Sequence, residues 1–164
     1  MMEPSVNYLS FAEMLAKDGY LVYTNTGYSM MPLLRPRQDI IEIKPLTGRA
    51  KKYDVVLYKR ELNSGAPYVL HRVLKVLPGG KYIIAGDHNT FKEFDVTDDM
   101  MVGIMTRVVR NGKSIYPTDW KYKLYVHLWC DCFPARVALL KLKTFFSRIM
   151  NRLKRYISIN HNDK

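Results

Sequence analysis

Ser29 stands in the stretch "TNTGYSMMPLLRPRQDIIEI", residues 24–43, between Tyr28 and the pair Met30–Met31, with Pro32 just beyond. A small polar residue walled in by large apolar ones is either a turn serine among core residues or a nucleophile in an apolar groove. The second role requires a base, because a serine hydroxyl is unreactive at its ordinary pKa. Among the four histidines, His71 in "YVLHRVLKV" lies inside a strand-like run with Leu70 and Val73 close by. An imidazole held on a strand suits a fixed general base, although a histidine in such a run is also commonly structural. A third group should orient the ring and stabilise its cation. The segment "GDHNTFKEFD", residues 86–95, offers Asp87, Glu93 and Asp95, and its plain reading is a turn.

The elements that must position these residues are mostly strands. The runs "YLVYT", "DIIEIKP", "YDVVLYKR", "YVLHRVLKVL", "KYIIAGD", "MMVGIMTRVV" and "SIYP" are rich in Val, Ile, Tyr and Leu. Turn chemistry separates several of them, at "NSGAP" (63–67), "PGG" (78–80) and "RNGK" (110–113). The "PGG" join is short enough for a tight hairpin between residues 68–77 and 81–85, which would return the acidic segment beside the strand of His71. Residues 8–17, "YLSFAEMLAK", read as a short amphipathic helix stopped by the "DG" at 18–19. Residues 1–118 are therefore expected to form a compact, mainly antiparallel β-domain, with 119–164 as a C-terminal extension.

In that extension residues 122–129 are apolar but irregular, and Pro134 restarts the chain. From 135 to 157 Leu139, Leu142, Phe146, Ile149, Leu153 and Tyr156 recur at spacings of 3 and 4, which is a helical stripe. Arg136, Lys141, Lys143, Arg148, Arg152, Lys154 and Arg155 fill much of the remaining surface. The net charge of +11 is concentrated here: residues through 135 carry 18 basic against 14 acidic side chains, and those from 136 onward carry 8 against Asp163 alone. Three readings follow: a helix packed on its own β-domain, an interfacial helix on anionic lipid, or a nucleic-acid contact.

Composition sets the outer limits. A chain of 164 residues with 48% hydrophobic and 25% charged residues is long and apolar enough for one folded domain. Cys130 and Cys132, two residues apart, make no disulfide framework. With His127 they crowd three soft ligands into "HLWCDC", too few for a closed tetrahedral zinc site, so neither metal nor cofactor is expected. Neither a secretory leader nor a run of about 18 apolar residues is visible, so a peripheral membrane or cytoplasmic location is expected.

Four boxes in order carry a resemblance. Gly27, Tyr28, Ser29, Met30, Met31 and Pro32 fit the pattern Gly-x-Ser-Met-x-Pro; Tyr53-Asp54-Val55-Val56, His71-Arg72-Val73 and Gly86-Asp87-His88-Asn89 follow. Over residues 20–110 the chain resembles the signal-peptidase-like serine peptidases, the superfamily of type I signal peptidases and self-cleaving repressors of the LexA kind. The resemblance implies a signal peptidase/LexA-like fold and a serine endopeptidase acting on exported precursor proteins or peptides, with Ser29 as nucleophile. Most bacterial members use a lysine base; His71 at that position matches the endoplasmic-reticulum, archaeal and sporulation-type enzymes. Lys75 is the rival base, but on a regular strand it lies about 13 Å from His71. For the third member Asp87 and Asp95 are the candidates, since Lys92 and Glu93 stand where related sequences carry paired aspartates.

An oxyanion hole is expected from the Ser29 N–H. Gly27 replaces a serine whose hydroxyl adds a donor in many signal peptidases, a loss of about 2.7–4 kcal/mol of transition-state stabilisation. Tyr28, Met30, Met31, Pro32, Leu33 and Leu34 are expected to shape a hydrophobic groove in which the substrate lies as an added strand. Signal peptidases carry an N-terminal membrane anchor, and the basic C-terminal helix is expected to replace it on an anionic membrane surface, with or without an anchoring or exporter partner. Two other functions compete: a weak or inactive binding module that keeps the boxes, and a cationic peripheral membrane or nucleic-acid-binding protein with a structural serine. Nucleic acid is the less expected partner.

Overall fold

The structure, a computed structural model, describes residues 10–60 and 68–162, with only the backbone for 153, 154 and 156–162. The expected "NSGAP" turn and the first residues of the expected N-terminal helix lie outside the described residues. Helix α1 (Phe11–Asp18) begins where Ser10 and Glu13 cap each other reciprocally, each side chain meeting the other's backbone N–H. It stops at Gly19, whose φ of 72° is the left-handed value a helix end favours.

Eight strands follow among the described residues: β1 (Leu21–Tyr23), β2 (Ile40–Pro45), β3 (Val55–Lys59), β4 (Tyr68–Leu77), β5 (Lys81–Ala85), β6 (Glu93–Thr97), β7 (Met101–Arg110) and β8 (Lys113–Ile115). They form one antiparallel sheet in the order β1-β2-β7-β3-β4-β5-β6, with β8 on β7. The fold is thus mainly β, as expected. The "PGG" join does close a tight hairpin, with Leu77 opposite Lys81 and both glycines at positive φ. One strand was not expected: β6 begins inside the segment read as a turn, where the Gly-Asp and Asn turn signals outweighed the short alternation of "EFDVT".

Side chains on the two sides of the sheet enter separate cores. Leu15, Leu21, Met30, Leu34, Ile41, Ile43, Val55, Leu57 and Leu70 gather in one. Val56, Tyr58, Val73, Tyr82, Ile84 and Val96 make the other, as alternation along β3, β4 and β5 demands. The C-terminal extension closes the first core. Helix α2 (Trp120–Val126) continues through a wide turn of π type (His127–Asp131) into α3 (Phe133–Asn162), and Tyr122, Val126 and Cys130 pack inward. Residues 122–129, read as irregular, are therefore helical. Pro134 sits in the first turn of α3, where its missing N–H costs nothing.

At the junction of sheet and extension lies a fully buried ion pair. Arg72 donates from Nε and one terminal nitrogen to the two oxygens of Asp87 at 2.8 and 2.7 Å, and neither side chain is exposed. Arg72 also donates to the Tyr53 carbonyl and the Tyr122 hydroxyl. Asp87 accepts from the Tyr125 hydroxyl at 2.9 Å, and its carbonyl accepts from the Trp129 indole at 2.8 Å. Truncating one partner strands the other charge in a dry interior, at a cost of about 3–5 kcal/mol. Asp87→Ala should therefore lower the denaturation midpoint strongly. The joint change Arg72→Met with Asp87→Leu should recover much of that loss in the same urea titration.

Candidate active site

Residues Tyr28–Leu34 form a compact turn rather than the end of β1. Met31 N donates to Tyr28 O, and Leu34 N donates to Met30 O. Met30 and Leu34 fix the turn by sinking fully into the core. From behind, the buried Asp39 accepts from Arg35 N at 2.7 Å and from Arg110 Nε at 2.8 Å, while Arg110 also donates to the Leu33 carbonyl. Burial alone would raise the Asp39 pKa, but these donors hold it below the ordinary value. Across the turn, His88 N donates to the Ser29 carbonyl at 2.7 Å. The "GDHN" segment therefore seats the serine.

Gly86 marks where the parts meet. A Cβ built there would lie 2.5 Å from the Ser29 carbonyl oxygen, 2.9 Å from His71 Nε2 and 3.0 Å from Ser29 Cβ. The ring nitrogen and the serine Cβ are thus no farther apart than the last two distances together, so the Ser29 side chain and the imidazole both border Gly86. Among the hydrogen bonds of the described residues none joins Ser29 Oγ to Nε2, a looseness common before substrate binds. The Ser29 N–H likewise has no acceptor among the described residues, which leaves it available as an oxyanion donor.

Beyond the imidazole the acid is Glu93. Its Oε1 lies 2.7 Å from His71 Nδ1, and its Oε2 accepts from the Tyr58 hydroxyl at 2.7 Å and from Arg60. His71 is 3% exposed. Burial, the largest single influence, would raise the Glu93 carboxyl, yet the bonds from His71, Tyr58 and Arg60 together lower it from 4.5 to about 2. Glu93 is consequently an anion at any ordinary pH, poised to keep the His71 proton on Nδ1 and leave Nε2 as the acceptor.

Neither acid singled out in the sequence reaches His71. Asp87 is held on the other side of β4 by Arg72, and Asp95 is exposed. The reason is a bulge. Between Tyr82 and Ile84 the register slips, so that Val96 faces Tyr82 and Glu93 faces Ile84. Paired residues share a face, so the extra residue in β6 puts Glu93 on the His71 side, while Asp95, next to Val96, points to the other face. A second bulge, between Val73 and Lys75, does the same to the rival base. Lys75 pairs with Ile83 and turns to the opposite face from His71, exposed, rather than staying on the same face about 13 Å along.

The groove beside Ser29 is also walled differently. A cleft of about 360 Å³ runs along Thr24–Gly27 to Ser29, between Phe11, Tyr23, Leu57, Tyr68 and Leu70. Met30 and Leu34 belong to the core instead, Leu33 packs against it, and Tyr28 is 65% exposed. Met31 and Pro32 line a smaller hollow of about 160 Å³ on the other side, with His88, Trp129, Leu139, Leu140 and Lys143. Alternation could have found Leu57, Tyr68 and Leu70, but the part played by Phe11 depends on where α1 packs. Gly27 borders open space, with no atom within 4 Å of where its Cβ would stand. Cys130 is buried and its thiol pushed up to about 11 by that burial, whereas Cys132 is exposed.

No family model matches the chain, and no curated protein matches it.

Two outcomes follow from this geometry. Gly86→Ala forces a Cβ against the Ser29 backbone, so any activity that uses Ser29 should fall by about 100-fold, read as kcat/KM on a chain whose unfolding is cooperative. A carboxylate held below its unfolded value stabilises the fold at neutral pH, and that contribution fades as pH drops from 4.5 through about 2. Glu93→Gln should accordingly flatten the loss of stability over that window in acid titrations followed by circular dichroism.

Proposed function

We propose that this protein is a serine endopeptidase of the signal peptidase type, with Ser29 as nucleophile, His71 as general base and Glu93 as the orienting acid. The observation that carries the reading is the convergence of Ser29 and His71 Nε2 at Gly86, with Glu93 on Nδ1 behind. The four sequence boxes and the mainly antiparallel β-sheet support it further.

In the proposed reaction Ser29 Oγ attacks the scissile carbonyl while His71 Nε2 takes its proton. Charge gathers on the carbonyl oxygen, where the Ser29 N–H is the available donor. His71 then hands the proton to the leaving amine, and the amide C–N bond breaks to leave an acyl-serine. Water attacks that ester, giving a proton to His71; the C–Oγ bond then breaks, His71 returns the proton to Oγ, and the acid and the free serine are released. Glu93 remains ionised throughout and stabilises the transient imidazolium. The substrate is a polypeptide bound extended along Thr24–Gly27, with apolar side chains in the cleft against Leu57, Tyr68 and Leu70. Asn25 borders this cleft. The substrates proposed are exported precursor proteins or peptides.

Incubation with a preprotein or precursor peptide, followed by intact mass, tests the reading. Wild type should cut at one bond, and Ser29→Ala and His71→Ala should lower kcat by about 1,000-fold or more, with Glu93→Gln lowering it by about 100- to 10,000-fold. Equal cleavage by all four proteins would refute the assignment. Because space is open at residue 27, Gly27→Ser should add an oxyanion donor and raise kcat about tenfold with KM little changed.

A further inference from the structure

Helix α3 is seated on the body only at its beginning. Arg136 is buried beneath it, donating to the Gly86 and Asn89 carbonyls, and Leu140 is buried too. From Lys141 to Arg152 every residue is exposed, so the helix leaves the β-domain there. The reading in which α3 packs along its own β-domain is met only by its first two turns.

The exposed portion is sorted by side-chain type. At 3.6 residues per turn, Leu139, Leu142, Phe145, Phe146, Ile149 and Met150 fall within an arc of about 140°. Each of the six is between 38% and 57% exposed. Lys143 borders one edge of that arc, and Lys141, Arg148 and Arg152 border the other. Thr144, Ser147 and Asn151, all uncharged, occupy the face opposite. No acid occurs between Asp131 and Asp163.

We infer that α3 is a docking helix for an anionic membrane surface, lying in the plane of the lipid with its apolar arc among the upper acyl chains and its flanking cations at the phosphates. Charge complementarity selects this occupant. An interfacial helix carries its cations at the borders of the apolar face, the level of the headgroups, and leaves the far face to water. A second copy pairing through the same arc would set Lys141, Arg148 and Arg152 against their equals, a like-charge contact. Nucleic acid would satisfy the cations but leave six large apolar side chains in water. No described helix is long and apolar enough to cross a membrane, so α3 lies on the bilayer rather than through it.

The root of α3 also touches the candidate site. Leu139, Leu140 and Lys143 share the small hollow with Met31, Pro32 and His88, all within a few residues of Ser29 or Gly86. Docking therefore holds the Ser29 turn close to the lipid surface, where a segment emerging from the bilayer would meet it. The membrane contact itself does not rest on the peptidase reading.

The test is sedimentation of the full chain with vesicles of phosphatidylcholine alone or with about one third phosphatidylglycerol. Partitioning onto the anionic vesicles should be about tenfold or more the higher, and raised salt should lower it. Joint Phe145→Ser and Phe146→Ser should reduce binding about tenfold, and joint Lys141→Gln, Arg148→Gln and Arg152→Gln should abolish the preference for anionic lipid. All these positions are exposed, so the thermal unfolding midpoint should stay unchanged. Ser29→Ala should bind as wild type does, which separates failure here from failure of the catalytic assignment. Equal or negligible binding to both vesicles overturns the inference. So does single-stranded RNA binding that vanishes with the glutamines but ignores the serines, or a solution dimer that the serines dissociate.

Discussion

The buried pair between Arg72 and Asp87 is the contact on which the remaining architecture rests. Two charges with no exposed surface are tolerated only when geometry is good and the remaining donors and acceptors are engaged, and here they are. Arg72 sits next to His71 on β4, and Asp87 sits next to Gly86 and His88 in the segment that seats Ser29. One bidentate contact therefore joins the strand bearing His71 to the segment that seats Ser29. Tyr122, Tyr125 and Trp129 complete it from the C-terminal extension, so α2 and the π-type turn after it are structural parts of this region rather than an appendage.

That arrangement divides the acidic residues between two tasks. Asp87 is wholly engaged in structure, on the face of the sheet where Arg72 lies. Glu93, on the other face, meets His71, Tyr58 and Arg60, and those donors keep it ionised despite burial. A single carboxylate could not serve both, because successive residues of a strand point to opposite sides. The same alternation explains why His71 and Arg72, neighbours in sequence, take part in separate networks. On the proposed reading, the oxyanion donor is the least complete part of the site: Gly27 contributes space and no hydroxyl.

The extension is two things in succession. Up to Leu140 it belongs to the domain, closing a core and bracing the Gly86–Asn89 segment through Arg136. From Lys141 to Arg152 it is an exposed, acid-free amphipathic helix. Burial stabilises the first part, and the second has no protein partner among the described residues. The wide turn at His127–Asp131 is held by Tyr53, Lys52 and His127 around Asp131, which ties the change of helix direction to the strand side of the molecule. Those contacts lower the Asp131 carboxyl far below its ordinary range despite its exposure.

Much of this was legible in the residues. Branched and aromatic runs between turn signals announced the β-sheet and the "PGG" hairpin, and the "DG" stop announced the end of the first helix, because those signals act locally. Ser29 and His71 stood out for the same reason: a serine in an apolar turn and a histidine on a strand are local features. The 3-4 stripe of α3 and its charge were likewise readable without a structure. What the tertiary structure alone decided was which acid faces His71, which base is excluded and which side chains wall the cleft. Each depends on a register slip or a crossing of elements. A single extra residue in β6 parts Glu93 from Asp95 and puts Glu93 on the His71 face, another in β4 turns Lys75 away, and neither bulge leaves a mark in residue types. Asp87 looked like a catalytic acid and became the partner of Arg72 because the fold lays the segment after β5 on the Arg72 face of β4, a placement that spacing along the chain does not set.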